Sequence, residues 1–207
     1  MNNIDAKYRL HDDDDEDESQ DKKSGSELLV EKMLKTRNII ISGEIRKDLA
    51  EKTIKQLLLL DNMSKDDIKI FIDSPGGDAD AGFAIYDMIR FVESPVWTIG
   101  MGLVASAAAI IQLACPKERR LGLPNSHYLI HQPLSGIRGV ATDIEIHARE
   151  LEKLREKLNR LISEETGLAY EQIEKDTDRD HWLDAEEAVS YGLISRVIQR
   201  QSEIKKS

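Results

Sequence analysis

The stretch Met101-Gly-Leu-Val-Ala-Ser106-Ala-Ala-Ala-Ile110 organises this chain. Small residues run into three alanines, and Ser106 sits at the junction. A serine where a strand turns into an alanine-rich helix has its hydroxyl lifted clear of the backbone. The helix start beneath it offers free N–H groups and the positive end of a dipole. Such a setting presents a nucleophile and stabilises the oxyanion it creates. Taken alone, the stretch is more simply a helix cap or a small packing serine.

Upstream, Ile68-Lys-Ile-Phe-Ile-Asp73 is a β-branched, apolar run and reads as a strand. Ser74-Pro-Gly-Gly77 after it must turn. An earlier strand is expected at Asn38–Ser42, and Glu27–Lys35 reads as a short amphipathic turn or helix. Leu49, Ile54, Leu57, Leu58 and Leu60 predict a helix from Arg46 to Asp61. A second helix runs from about Ala79 to Val92, and Pro95–Ile99 is the strand that feeds the Ser106 turn.

Downstream, Arg119–Leu123 and Ser126–Ile130 read as strands around Leu123-Pro-Asn125. The loop Gln132–Val140 carries Pro133, Gly136 and Gly139. The longest helix spans about Thr142–Thr166 and ends at Gly167. Its residues Ile144, His147, Leu151, Leu154, Leu158 and Leu161 form a narrow heptad-like seam. That seam fits either another copy of the chain or packing along its own domain. Short helical pieces at Glu171–Asp176 and Leu183–Tyr191 lead to a closing strand in Gly192–Ile198. Strands alternating with helices give an α/β class.

The 207 residues, 40% of them hydrophobic, suffice for one domain with a real core. No apolar run approaches a membrane span, and the acidic N-terminus has no apolar signal segment. The expected setting is therefore cytoplasmic, with no membrane partner. The lone Cys115 excludes an internal disulfide framework and reads as buried filler. One cysteine and five scattered histidines give no zinc spacing, so no metal is expected. A net charge of −10 argues against a nucleic-acid surface. Much of that charge lies in Asp12-Asp-Asp-Asp-Glu-Asp-Glu18, so residues 1–26 are expected to be a disordered acidic tail. Residues 27–200 form the expected domain, and 201–207 a polar C-terminal tail.

Three strand ends carry residues of chemical interest. Gly76-Gly77 lets backbone N–H groups approach a ligand, although Pro-Gly-Gly is also an ordinary turn. Ser106 is the second. His131, after Tyr128-Leu-Ile130, is the third, although a lone imidazole there is often simply packed. Acids are too abundant for composition to choose a third partner. Asp176, Asp178, Asp180 and Asp184 crowd one loop. His181 is a further candidate base that no strand is expected to deliver, while His11 and His147 are poor candidates.

Four stretches resemble the proteolytic subunit of the Clp protease, the caseinolytic serine peptidase family. They are Asp73-Ser-Pro-Gly-Gly77, Gly102-Leu-Val-Ala-Ser106-Ala-Ala-Ala, Arg120-Leu-Gly-Leu-Pro-Asn-Ser-His-Tyr-Leu-Ile-His131-Gln-Pro133 and Asp176-Thr-Asp-Arg-Asp180. The last is followed by Ala185-Glu-Glu-Ala188 and Tyr191-Gly-Leu-Ile194. Together they cover about residues 37–198 in order.

The resemblance implies a serine endopeptidase with Ser106 as nucleophile, His131 as general base and Asp180 as the acid that orients it. Gly77 and Ala107 match the oxyanion-hole N–H positions. It implies a crotonase-like fold of repeated β-β-α units, with a strand-and-helix handle at about residues 132–166. Peptide would lie as an added strand between the segment at Gly76–Gly77 and the handle near Gly136. Asp178 and Arg179 match a pair that couples the active site to ring–ring contact. The family assembles two stacked heptameric rings, of one chain type or mixed with a paralogous subunit, and facing handles pack together. A hexameric AAA+ Clp ATPase feeds unfolded polypeptide into the chamber. The ATP belongs to that partner, because this chain has no Gly-x4-Gly-Lys-Ser/Thr loop and needs no cofactor of its own.

The front of the chain departs from the family, whose members enter the domain through an apolar axial segment. The acidic tail stands there instead, and would repel acidic peptides at the pore. Two other readings share the resemblance. One is a catalytically silent or regulatory ring subunit. The other is a crotonase-fold acyl-CoA enzyme, which would need carboxylates in place of Ser106 and His131.

Overall fold

The computed structural model describes residues 29, 30 and 32–204. The expected acidic tail, residues 1–26, lies outside them. The chain divides into Met1–Thr36 and Arg37–Ser207. In the first unit, Leu29, Val30 and residues 32–35 are helical; the rest of the helix expected there lies outside the described residues. The second unit holds the sheet and the candidate site.

Its centre is a seven-stranded sheet. β1 (Asn38–Ser42), β2 (Ile68–Ser74) and β3 (Val96–Ala105) pair in parallel, side by side. Their buried isoleucines explain why. Ile39, Ile41, Ile68, Ile70 and Ile72 are all fully buried, and β-branched chains pack well on a pleated surface. In β2 every second residue is buried, the period of a strand.

β3 reaches farther than the expected Pro95–Ile99, and its length lets it serve two neighbours. Thr98–Gly100 pair with β4 (Arg120–Gly122), and Leu103–Ala105 pair with β5 (His127–Ile130). β7 (Arg196–Val197) runs parallel to β4, shorter than the closing strand expected. β6 (His181–Leu183) runs antiparallel to β5. This strand corrects the sequence reading, which placed Leu183 at a helix start and left His181 without a strand.

Helices α1 (Lys47–Met63) and α2 (Ala79–Phe91) follow the expected bounds closely. α1 buries Ala50, Thr53, Leu57 and Leu60 and leaves Leu58, Leu59 and Met63 exposed. α3 (Ala107–Gln112) is buried along its whole length. α4 (Ala141–Thr166) is the long helix, followed by α5 (Tyr170–Asp176) and α6 (Ala185–Tyr191).

α4 is anchored at its C-terminal end. Arg120, only 1% exposed, donates to the Glu165 carboxylate and, at 2.8 Å, to the Glu165 carbonyl. Its Nε donates to Cys115 O at 2.7 Å. Tyr86 and Arg90 of α2 reach the same carboxylate at 3.1 and 2.9 Å. Burial, with Glu165 alongside, pushes the Tyr86 hydroxyl up to about 12. A buried guanidinium is tolerable only with this full set of acceptors. Cys115 is buried, and burial raises its thiol above the usual range, which keeps it inert.

Two further expectations change. Residues 132–140 carry no regular structure, so the handle is a strap and a helix rather than a strand and a helix. Residues 201–203, assigned to a polar tail, form a 3-10 turn. That turn drops Ile204 onto Ile99, Leu121 and Ile198. One apolar residue in a polar run suffices when a turn aims it at the core.

Candidate active site

The parallel strands β2, β3 and β5 end at one edge of the sheet, where α/β proteins build their sites. Registers alone bring the sequence-selected residues together. Ser74 pairs with Val104 across β2 and β3, which sets Gly76 level with Ser106. Ala105 pairs with Leu129 across β3 and β5, and Ser106 N donates to Leu129 O at 2.9 Å. Ser106 therefore lies beside the last residues of β5, and His131 comes next. Across β5 and β6, Tyr128 faces Leu183, Leu129 faces Trp182 and Ile130 faces His181. The next antiparallel pair is His131 and Asp180. Their side chains meet, with Nδ1 to Oδ1 at 3.2 Å.

The register between β2 and β3 shifts between Ile72 and Ser74, a bulge in β3. Gly102 sits in it at φ +56°, and Asp73 Oδ1 accepts from Leu103 N at 3.0 Å. Such bulges re-aim a strand end; this one aims the Ser106 turn.

Ser106 has φ 55° and ψ −122°, rare for a residue with a side chain. Strain of this kind marks a sharp strand-to-helix elbow that lifts a serine out of the sheet. Gly76 lies directly against it. A Cβ at position 76 would come within 2.7 Å of Ser106 Cβ and 2.6 Å of Ala105 O. Glycine is required there by close approach as well as by φ +88°.

Two backbone donors flank the serine. Ala107 is the first residue of α3, so its N–H has no acceptor inside the helix. Gly77 forms a parallel bridge with Ile45. Ile45 N donates to Gly76 O at 2.8 Å, and Asp78 N donates to Ile45 O at 2.9 Å. In that pattern Gly77 points its own N–H away from Ile45.

These residues border a cavity of about 630 Å³. Gly77, Ser106, Ala107 and His131 line it, with Phe83, Ile110, Ile130, Leu154, Leu158 and Ile162 giving it apolar walls. His131 is 15% exposed and Asp180 61%. An imidazole bonded through Nδ1 presents Nε2 on the opposite edge of its ring.

Other sequence-selected residues fall nearby. Gln132 N donates to Thr177 O, and Gln132 Nε2 to Asp178 O, both at 2.6 Å. The Asp178 carboxylate lies 4.0 Å from Arg155, while Arg179 is exposed. Gly136 lies in the exposed strap, and a Cβ there would meet nothing within 4 Å. His147, set aside in the sequence, borders the same cavity as Ser106. The signal was its spacing: residues 147, 154 and 158 share one helical face, and all three line the cavity. The seam is thus divided, because Ile144 stays exposed. Among the described residues, no group of three or more His, Cys, Asp or Glu could hold a metal ion.

Comparison with known proteins places the chain in a family. Residues 21–201 match the family described as Clp protease. The chain is 62% identical over 189 residues to the ATP-dependent Clp protease proteolytic subunit 2 of Treponema denticola, covering 91% of this chain and 94% of that one. It is 51% identical over 194 residues to proteolytic subunit 3 of Rhizobium meliloti, covering 94% and 99%. Among solved structures, ClpP1 from Listeria monocytogenes superposes with a TM-score of 0.78 at 46% identity, over 86% of this chain and 99% of that one. With the match spanning nearly its whole length, this chain belongs to the Clp protease family.

Proposed function

We propose that this chain is a serine endopeptidase in which Ser106, His131 and Asp180 act as the catalytic triad. Family membership makes it a proteolytic subunit, and the observation that carries the residue roles is the shared register of strand ends. In this reading His131 Nε2 takes the Ser106 proton as Oγ attacks the peptide carbonyl. Asp180 holds the proton on Nδ1 and stabilises the imidazolium. The developing oxyanion is met by Gly77 N–H and Ala107 N–H, each donor worth about 3 kcal/mol in the transition state. The C–N bond then breaks, the amine leaves with the proton from His131, and water hydrolyses the Ser106 ester by the same proton path.

The peptide lies extended along the exposed side of Gly77, with Gly136 on its other side and a side chain in the apolar cavity. Asp178 holds Gln132, the neighbour of His131, so a change in the Asp178–Arg179 loop reaches the histidine. This supports its role in coupling site to ring contact.

The working form is a chamber of two stacked heptameric rings, fed with unfolded polypeptide by a hexameric Clp ATPase in the cytoplasm. Exposed Leu134, Ile137, Val140, Ile144 and Ile146 on the strap and α4 support burial against a facing handle. Leu58, Leu59, Met63 and Phe91 leave a second set of exposed apolar side chains for neighbours or partner. Two matched relatives carry the numbers 2 and 3 in their names, which supports a paralogous subunit in mixed rings. ATP serves the partner, and the chemistry here needs no cofactor.

The test is cleavage of a fluorogenic peptide by wild type and S106A, each sized by gel filtration. Activity in a large assembly, lost in S106A at unchanged size, supports the proposal. A serine-reactive fluorophosphonate that labels S106A as fast as wild type would sink it.

A further inference from the structure

We propose that His147 and Ser135 are positioning residues. Their hydrogen bond holds the strap between Gln132 and α4 where Gly136 can pair with a bound peptide. This rests on the peptidase reading above.

The strap needs such a device. Gln132 is fixed twice, to Thr177 O and Asp178 O. Beyond it, no strand ladder pairs residues 133–139 among the described residues, and Leu134 is 82% exposed. Val140 O accepts from Ile144 N at the start of α4. Between these ends, Ser135 Oγ lies 2.7 Å from His147 Nε2. This bond ties the middle of the strap to the cavity face of α4, one residue before Gly136.

An added strand needs a partner already in place. If the strap must be ordered when the peptide binds, that entropy is subtracted from affinity. The bond therefore acts on binding of peptides long enough to reach Gly136. It leaves proton transfer at Ser106 and His131 alone. A serine hydroxyl both donates and accepts, so the bond forms with either imidazole tautomer. Glutamine at 147 can also play either part, since its amide offers both a donor and an acceptor.

The experiment uses the full-length, assembled protein. kcat and KM are measured for a long peptide and for a short one that ends before Gly136, and the fluorophosphonate labelling rate reports on Ser106. The variants are S135A, H147A, their double and H147Q. We expect S135A and H147A each to raise KM for the long peptide about three- to tenfold, the effect of one hydrogen bond. The labelling rate should stay near wild type. Because His147 also borders the cavity, the short peptide sets the baseline, and its KM should shift by a smaller factor than that of the long one. The double variant should be no worse than H147A, and H147Q should recover most of the loss. Additive single effects, equal losses on both peptides, or no recovery in H147Q would overturn the proposal. An unlabelled wild type overturns the peptidase reading itself, and this proposal with it; normal labelling with no KM shift overturns the strap alone.

Discussion

The two walls of the proposed peptide cleft are built in opposite ways. The Gly76–Gly77 wall grows out of the buried sheet. Its flanking hydrogen bonds are made, and a single added Cβ at either glycine would collide with backbone. The Gln132–Val140 wall is exposed, unladdered and roomy, and a Cβ at Gly136 meets nothing. The fold itself determines one wall, whereas the other depends on side-chain ties and on whatever packs over it. Chemistry belongs on the first, where about 1 Å of error costs on the order of 10²-fold in rate. Adaptation to varied peptides belongs on the second.

The largest break in this comparison is S106A, which should lower kcat/KM by a factor on the order of 10⁴–10⁶ while thermal unfolding stays within a few degrees. Next, G76A should cost on the order of 10² in kcat and lower Tm, because the Ser106 elbow must move. D180N should cost a similar factor, on the order of 10², less than for a buried acid, since water reaches Asp180. Circular dichroism with kinetics separates these two: D180N should keep its Tm and G76A should not. R120M would test the scaffold under both walls, at about 3–5 kcal/mol of stability by urea denaturation. Smallest is G136A, which should leave Tm unchanged and kcat within about threefold, the cost of a surface change. If G136A proves as damaging as G76A, the two walls are not different in kind.

As candidates, Ser106 and His131 are legible in the sequence because each stands at the end of a local pattern, small residues turning helical or an apolar run stopping at histidine. The β-branched runs of β1 and β2 were legible for the same reason. Asp180 was not, among four neighbouring aspartates, without the resemblance. It is selected by antiparallel pairing with β5, about fifty positions away, and no local pattern encodes that partner. β6 escaped because three residues, His181-Trp-Leu183, are too short to show a period. His147 reads in the sequence as one polar residue in a leucine seam, although the helix turns it toward the cavity. Ile204 stood alone among polar neighbours, and only the turn before it shows where it goes.

The long helix has one more consequence. With 26 residues, α4 extends about 39 Å, yet its buried residues are Asn159, Ile162 and Thr166, all near one end. It is a cantilever, clamped by Arg120 and free toward Ala141. A free half-helix in water frays, and its amide protons trade with solvent quickly. Any surface that covers that half slows the trade. Deuterium uptake between Ala141 and Glu150 is thus a built-in gauge of assembly: fast while the subunit is alone, slow once the free end is gripped.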